Sequence, residues 1–94
     1  MDSLLRSPDW LPLERALKAE IGADASAAAR AFRFVGYVNG PADVGTLRVY
    51  QHEHTRVHVT LDGEGRAYRY FADMDRYGST DSEVAIYWAL TGVR

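Results

Sequence analysis

The chain has 94 residues, no cysteine, and a net charge of -2 from 11 basic and 13 acidic side chains. Hydrophobic residues make up 47% of it, which is enough to form a core and argues against disorder. Disulfide scaffolds and cysteine-ligated zinc sites are excluded, and no apolar run approaches the roughly 20 residues of a transmembrane helix. We therefore expect one small cytoplasmic α+β domain over residues 1–94, with no membrane partner.

The first element that the sequence predicts is an amphipathic helix over residues 9–21. Asp9 can cap its first turn, and Pro12 falls where a missing N–H costs nothing. One apolar stripe recurs at helical spacing and consists of Trp10, Leu13, Leu17 and Ile21. Gly22 is expected to end the helix in a left-handed conformation. Residues 24–30 then form either a short helix capped by Asp24 or a flexible linker.

Four strands are predicted next, over about residues 31–38, 45–51, 56–61 and 66–72. Their short connections require antiparallel neighbours, because parallel strands need long crossovers. The predicted fold is therefore α+β: a four-stranded antiparallel β-meander with the N-terminal and C-terminal helices packed on one face.

Alternation along the strands sets the expected register of the second hairpin. Pairing Val49 with Val57 keeps both valines on the core face, because side chains alternate with a period of two. This pairing places basic and aromatic residues across from one another, with Tyr50 opposite Arg56 and Arg48 opposite His58.

The third hairpin allows two registers. A bulged turn over residues 62–65 points Ala67 and Phe71 into the core and leaves Arg69 on the core face, where it must reach past an edge. An even loop would instead bury Tyr68 and Tyr70. We favour the bulged turn, since Asp first and Gly last suit it.

The last predicted element is a helix over residues 80–91. Thr80 and Glu83 form a capping box, and Gly92 ends the helix. Its expected core face consists of Val84, Tyr87, Trp88 and Thr91, widened by Ile86 and Leu90.

The outward sheet face is the candidate binding surface, because it interleaves aromatic rings with arginine. The predicted binding residues are Arg33, Tyr37, Arg48, Tyr50, Arg56, His58, Tyr68 and Tyr70, with Thr60 among them. Tyrosine and arginine are enriched at protein interfaces, and the same mixture stacks on single-stranded nucleic acid. A third reading is a solvated face on which cross-strand pairs stabilise the sheet.

We therefore expect a non-catalytic interaction module that binds a protein partner or itself as a homodimer. Single-stranded nucleic-acid binding through the same face is the first alternative, although the acidic net charge argues against it. No nucleophile motif or phosphate-binding loop points to catalysis.

Three histidines raise the second alternative, a metal-dependent enzyme. Neutral imidazoles ligate zinc, and His52, His54 and His58 lie close in sequence. However, a strand rises about 3.3 Å per residue, which carries His58 away from a hairpin tip that holds the other two. We expect no metal and no cofactor.

An acidic segment partly matches a calcium-binding loop. Asp73, Asp75, Gly78 and Asp81 occupy matching positions, but Val84 stands where the loop requires a bidentate glutamate. A loop that leads into a helix cap accounts for these acids, and we expect no calcium.

Overall fold

A computed structural model describes residues 9–93 and shows five strands and three α-helices there. Residues 1–8 and 94, which the predicted domain includes, lie outside the described part. The helices are α1 (Leu11–Ile21), α2 (Ala25–Ala29) and α3 (Ser82–Thr91), and a 3-10 turn (Gly22–Asp24) joins the first two. The strands are β1 (Phe32–Asn39), β2 (Thr46–His52), β3 (His58–Leu61), β4 (Ala67–Phe71) and β5 (Arg76–Ser79).

The strands form one antiparallel sheet in the order β1-β2-β3-β4-β5. The α+β class and the meander are confirmed, but the strand count is wrong by one. Residues 76–79 pair with β4, where the sequence predicted a loop. Within residues 9–93 no helix is long and apolar enough to cross a bilayer.

The helices cover one face of the sheet, called here the helix-covered face, and the core lies beneath them. Leu13 and Leu17 of α1 are fully buried, and Ile86 of α3 joins them against Tyr50 and Leu61 of the sheet. Burying a side chain of this size stabilises the fold by about 1.5–3 kcal/mol. The opposite face is called the groove face.

Helix α1 begins without the side-chain cap that the sequence predicted. Its N-cap is Trp10, whose side chain makes no capping bond, while Pro12 lies in the first turn as expected. The Asp9 carboxylate is engaged elsewhere, because it accepts hydrogen bonds from the side chains of Tyr37 and Arg48. Gly22 ends the helix at a φ of 65° with a ψ of -125°, a conformation suited to glycine.

Helix α3 begins two residues later than predicted, and its cap is Asp81. The Asp81 carboxylate accepts a hydrogen bond from the Val84 N–H at 3.0 Å. Thr80, the predicted cap, instead donates its backbone N–H to the Ala67 carbonyl and so continues the sheet. Gly92 ends the helix in the left-handed conformation, as the sequence predicted.

The expected core face of α3 is correct only in part, since Ile86 is buried and Trp88 and Leu90 pack against the core. Ile86 and Ala89 are the buried residues, whereas Val84 and Tyr87 are exposed and Trp88 is half-buried. Residues 84–90 are apolar without interruption, so periodicity alone does not orient the helix. The Thr55 hydroxyl fixes the orientation by donating to the Ala89 carbonyl at 2.6 Å.

The second hairpin has a register shifted by three residues from the predicted one. Its observed pairs are Arg48 with Leu61, Val49 with Thr60, Tyr50 with Val59 and Gln51 with His58. An odd shift moves every side chain of a strand to the other face. Tyr50 therefore lies in the core beneath α1, and Val49 lies on the groove face.

The third hairpin adopts the predicted bulged register. Thr60 pairs with Tyr68 and Leu61 with Ala67, and Gly65 takes a φ of 85° in the turn. Arg69 alternates with Tyr68 and Tyr70 and so lies on the helix-covered side of the sheet, but its side chain is exposed and its guanidinium carbon is 4.1 Å from the Phe71 ring centroid.

Candidate functional site

The groove face of the sheet lines a groove of about 680 Å³, and all five strands contribute residues to it. Its walls are mainly apolar and aromatic and include Val35, Val38, Val49, Tyr68, Tyr70 and Tyr77. Tyr70 and Tyr77 are cross-strand neighbours whose ring centroids are 5.5 Å apart. Pockets of this size and character are the usual places for ligands.

A smaller cleft of about 280 Å³ lies between β3, β4 and α3. It exists because β3 and β4 pair at only two positions, and the pairing does not continue to His58 and Tyr70. Helix α3 borders the gap with Val84, Ala85 and Trp88. The cleft and the groove share five lining residues, namely His58, Thr60, Tyr68, Arg69 and Trp88, and are therefore one continuous site.

The charge that lines this site is basic. Arg56, His58 and Arg69 border the groove or the cleft, and no Asp or Glu lines either cavity within the described residues. All three basic side chains are exposed. The site therefore attracts anionic groups although the chain as a whole carries a net charge of -2.

Tyr68 and Tyr70 of the site stay neutral at physiological pH. Burial raises the pKa of Tyr68, and its hydroxyl donates to the buried Asp62 carboxylate at 3.1 Å, which raises the pKa further. A hydrogen bond to Asp75 raises the pKa of Tyr70. Both hydroxyls are thus hydrogen-bond donors to neighbouring acids rather than anions.

The structure brings together four of the eight predicted binding residues. Arg56, His58, Tyr68 and Tyr70 line the groove, and Thr60 lies between them. Whether these residues bind a partner stays a prediction. Arg33 lies outside both cavities, where its guanidinium donates twice to the Gln51 side-chain oxygen at 3.1 and 2.9 Å.

The other three residues lie on the helix-covered face, contrary to prediction. A β-bulge at Val35 shifts the β1 register and pairs Tyr37 with Arg48 beside Asp9. Tyr50 is fully buried, and its hydroxyl donates to the Asp9 backbone carbonyl. Burial raises the pKa of Tyr50, so the ring is a neutral core residue.

The three histidines are not gathered around one point. The His52 and His54 ring centroids are 5.6 Å apart, but His52 packs edge-on against Phe32 on the helix-covered side. His58 lies on the groove face instead. Across residues 9–93 no three His, Cys, Asp or Glu side chains are placed to hold a metal ion.

His52 has a structural role in the turn between β2 and β3. Its Nδ1 accepts hydrogen bonds from the backbone N–H groups of His54 and Thr55, both at 3.2 Å. Burial lowers the pKa of His52 below 6.5, and the neighbouring His54 lowers it further, while Glu53 opposes the shift. Protonation would convert this acceptor into a donor and break both bonds.

From this arrangement we expect the free energy of unfolding to decrease at acidic pH. Below a pH of about 6.5 the unfolded chain takes up a proton that folded His52 resists, so the free energy of unfolding falls until folded His52 also titrates. His52→Asn keeps a side-chain acceptor in the turn without titrating, and we expect it to flatten this decline. Urea unfolding at pH 8 and pH 5 measures the effect. His58→Asn, at an exposed histidine on the groove face, is the control. A His52→Asn protein that loses as much free energy of unfolding between pH 8 and pH 5 as wild type would contradict the assignment.

The acidic segment that partly matches a calcium-binding loop forms a turn and the strand β5 before Asp81 caps α3. Asp73 and Asp75 lie in the turn between β4 and β5, and Gly78 lies within β5. The Phe71 ring packs over Gly78, where a Cβ atom would approach it to 2.9 Å. A side chain at residue 78 would therefore require the Phe71 ring to move.

Sequence reasoning missed the contribution of α3 to the site. The sequence predicts Val84 and Trp88 as core residues, but Val84 is exposed, and Trp88 packs against the core and also lines the cleft with Val84. The available signal was the uninterrupted apolar run over residues 84–90, which is too wide for a helix with one buried face. Comparison with known proteins finds no matching family model, no similar curated protein and no similar solved structure.

Proposed function

We propose that the chain is a non-catalytic interaction module that binds a protein partner through the outer face of α3 and the adjoining cleft. The proposal rests on the exposure of apolar side chains of α3. Val84 and Tyr87 are 61% and 58% exposed, although they belong to a helix that is apolar through residues 84–90. A helix that is apolar on all sides is normally buried on all sides.

Trp88 extends this apolar surface to the cleft. It follows Val84 by one helical turn, so the two side chains are neighbours along the helix. Tryptophan and tyrosine anchors in partly enclosed pockets carry much of the binding energy of protein interfaces. Covering apolar surface contributes about 25 cal/mol per Å², which favours a partner here.

The proposed contact surface differs from the Tyr/Arg face that the sequence suggested. That face comprised eight residues, of which Tyr37, Arg48 and Tyr50 lie on the other side of the sheet. The nucleic-acid alternative used the same eight-residue face, which the structure divides between the two sides of the sheet. A second copy of the chain stays one possible protein partner.

Peptide display on the immobilised protein tests the proposal. We expect the selected peptides to bind Tyr87→Glu about tenfold more weakly than wild type, because the glutamate places a charge in an apolar contact. Ser26→Glu, on the exposed side of α2, is the matched control and should bind like wild type.

Sedimentation velocity at micromolar concentration identifies a self-partner. A dimer that Tyr87→Glu dissociates supports the proposal with a second copy as the partner. The proposal would be refuted if the protein were monomeric and selected no peptide. It would also be refuted if the selected peptides bound Tyr87→Glu as tightly as wild type.

A further inference from the structure

The cleft beside α3 is a gap that the sheet itself leaves open. The β3–β4 ladder stops after Thr60–Tyr68 and Leu61–Ala67, although β3 continues to His58 and β4 to Phe71. Backbone N–H and C=O groups are obligatory hydrogen-bonding groups. A gap inside a sheet therefore offers polar contacts as well as apolar walls to whatever enters it.

The size and walls of the cleft suit an aromatic side chain. An apolar cavity of about 150 Å³ is large enough to bind benzene, and this cleft measures about 280 Å³. Its walls include the aromatic residues Tyr68 and Trp88 together with Val59 and Ala85. Aromatic rings pack well edge-to-face, and tryptophan and tyrosine also carry a polar group that can meet the backbone.

The charges around the cleft select the sequence that flanks such a side chain. His58 and Arg69 line the cleft, and Arg56 lines the groove into which it opens. No acid from the described residues lines either cavity. Carboxylates beside an inserted ring would meet basic groups, whereas lysines or arginines there would be repelled.

We propose that the cleft receives a tryptophan or tyrosine side chain from an acidic segment of the partner protein. This inference rests on the proposed function and adds the chemistry of the partner to it. The ring fills the space beside Trp88, and the flanking carboxylates lie near Arg56, His58 and Arg69.

Titration of the ¹⁵N-labelled protein with three capped pentapeptides tests the inference. The first carries a tryptophan between pairs of glutamates, the second replaces the tryptophan by alanine, and the third replaces the glutamates by lysines. We expect the first to shift the amide signals of His58, Tyr68 and Trp88 in a saturable way. The other two should bind at least about tenfold more weakly, which corresponds to about 1.4 kcal/mol.

Two variants connect this binding to the cleft. Arg56→Gln removes one basic side chain and should weaken the acidic peptide severalfold, whereas Arg76→Gln, an exposed arginine that lines neither the cleft nor the groove, should not. Ala85→Leu fills the cleft and should abolish binding. Because Arg56 is a surface residue, its variant keeps the test valid even if Ala85→Leu fails to fold.

The outcomes separate this inference from the proposed function. Peptides selected by display that depend on Tyr87, combined with no binding of the acidic tryptophan peptide, would overturn the inference alone. Equal binding of the lysine peptide would overturn it as well. So would indole-3-propionate binding as tightly as the peptide, since the cleft would then be a small-molecule site.

Discussion

Replacing Tyr50 by alanine is expected to lower the free energy of unfolding by about 3–5 kcal/mol, the usual cost of removing a buried aromatic ring. Tyr50 is fully buried, and its ring centroid is 5.8 Å from those of Trp10 and Phe34. Small domains have only about 5–15 kcal/mol of total stability, so this variant should be largely destabilised.

Tyr50→Phe separates the ring from the hydroxyl. It keeps the packing and loses only the hydrogen bond to the Asp9 carbonyl, which is worth about 1 kcal/mol. Urea unfolding of both variants measures the difference. Tyr87→Ala, at a 58% exposed tyrosine, serves as the control and should cost under about 1 kcal/mol. If Tyr50→Ala lost no more free energy of unfolding than this control, the result would contradict the pairing register of β2 with β3, which places Tyr50 in the core.

The position of Tyr50 was not predictable from alternation along β2. Leu47 and Val49 look like core residues and are indeed buried, but on the groove face. Tyr50 is buried on the opposite face, so both sides of the strand are covered and alternation cannot identify the core side. The burial of the Tyr50 hydroxyl is offset by its hydrogen bond to the backbone carbonyl of Asp9, which is distant in sequence.

Some features with local chemical signals were predicted correctly, although the N-caps of α1 and α3 were not. Helix α1 has its proline in the first turn and ends at Gly22, as expected, but the ψ of -125° places Gly22 outside the left-handed helical conformation. The turn after β3 likewise depends on neighbouring residues. The Asp62 carboxylate accepts hydrogen bonds from the backbone N–H groups of Glu64 and Arg66 at 2.8 and 3.0 Å, which fixes the bulged register.

The cleft had no such signal. It results from strand pairing that stops early and from the orientation of α3, and both depend on contacts between distant parts of the chain. Thr55, for example, orients α3 through Ala89 although the two residues are far apart in sequence. The sequence supplied the residues of the site, but their grouping required the three-dimensional structure.

The turn between β3 and β4 packs directly on α1, so we expect a substitution in it to lower the free energy of unfolding strongly. Gly65 has a φ of 85°, and a Cβ atom there would lie 2.9 Å from the Pro12 carbonyl oxygen and 3.2 Å from the Ala16 nitrogen. The Arg15 guanidinium adds a hydrogen bond to the Gly63 carbonyl at 3.0 Å. The turn and the helix therefore fit closely only while residue 65 has no side chain.

Gly65→Ala is expected to lower the free energy of unfolding by on the order of 3 kcal/mol. A non-glycine residue in the left-handed region costs about 1–3 kcal/mol, and the contact with the helix backbone adds to it. Gly63→Ala is a matched control two positions away, since a Cβ atom there meets nothing within 4 Å. It should change stability by less than about 0.5 kcal/mol. Urea unfolding of the two variants side by side measures the contrast, and equal losses would mean that α1 does not pack on this turn.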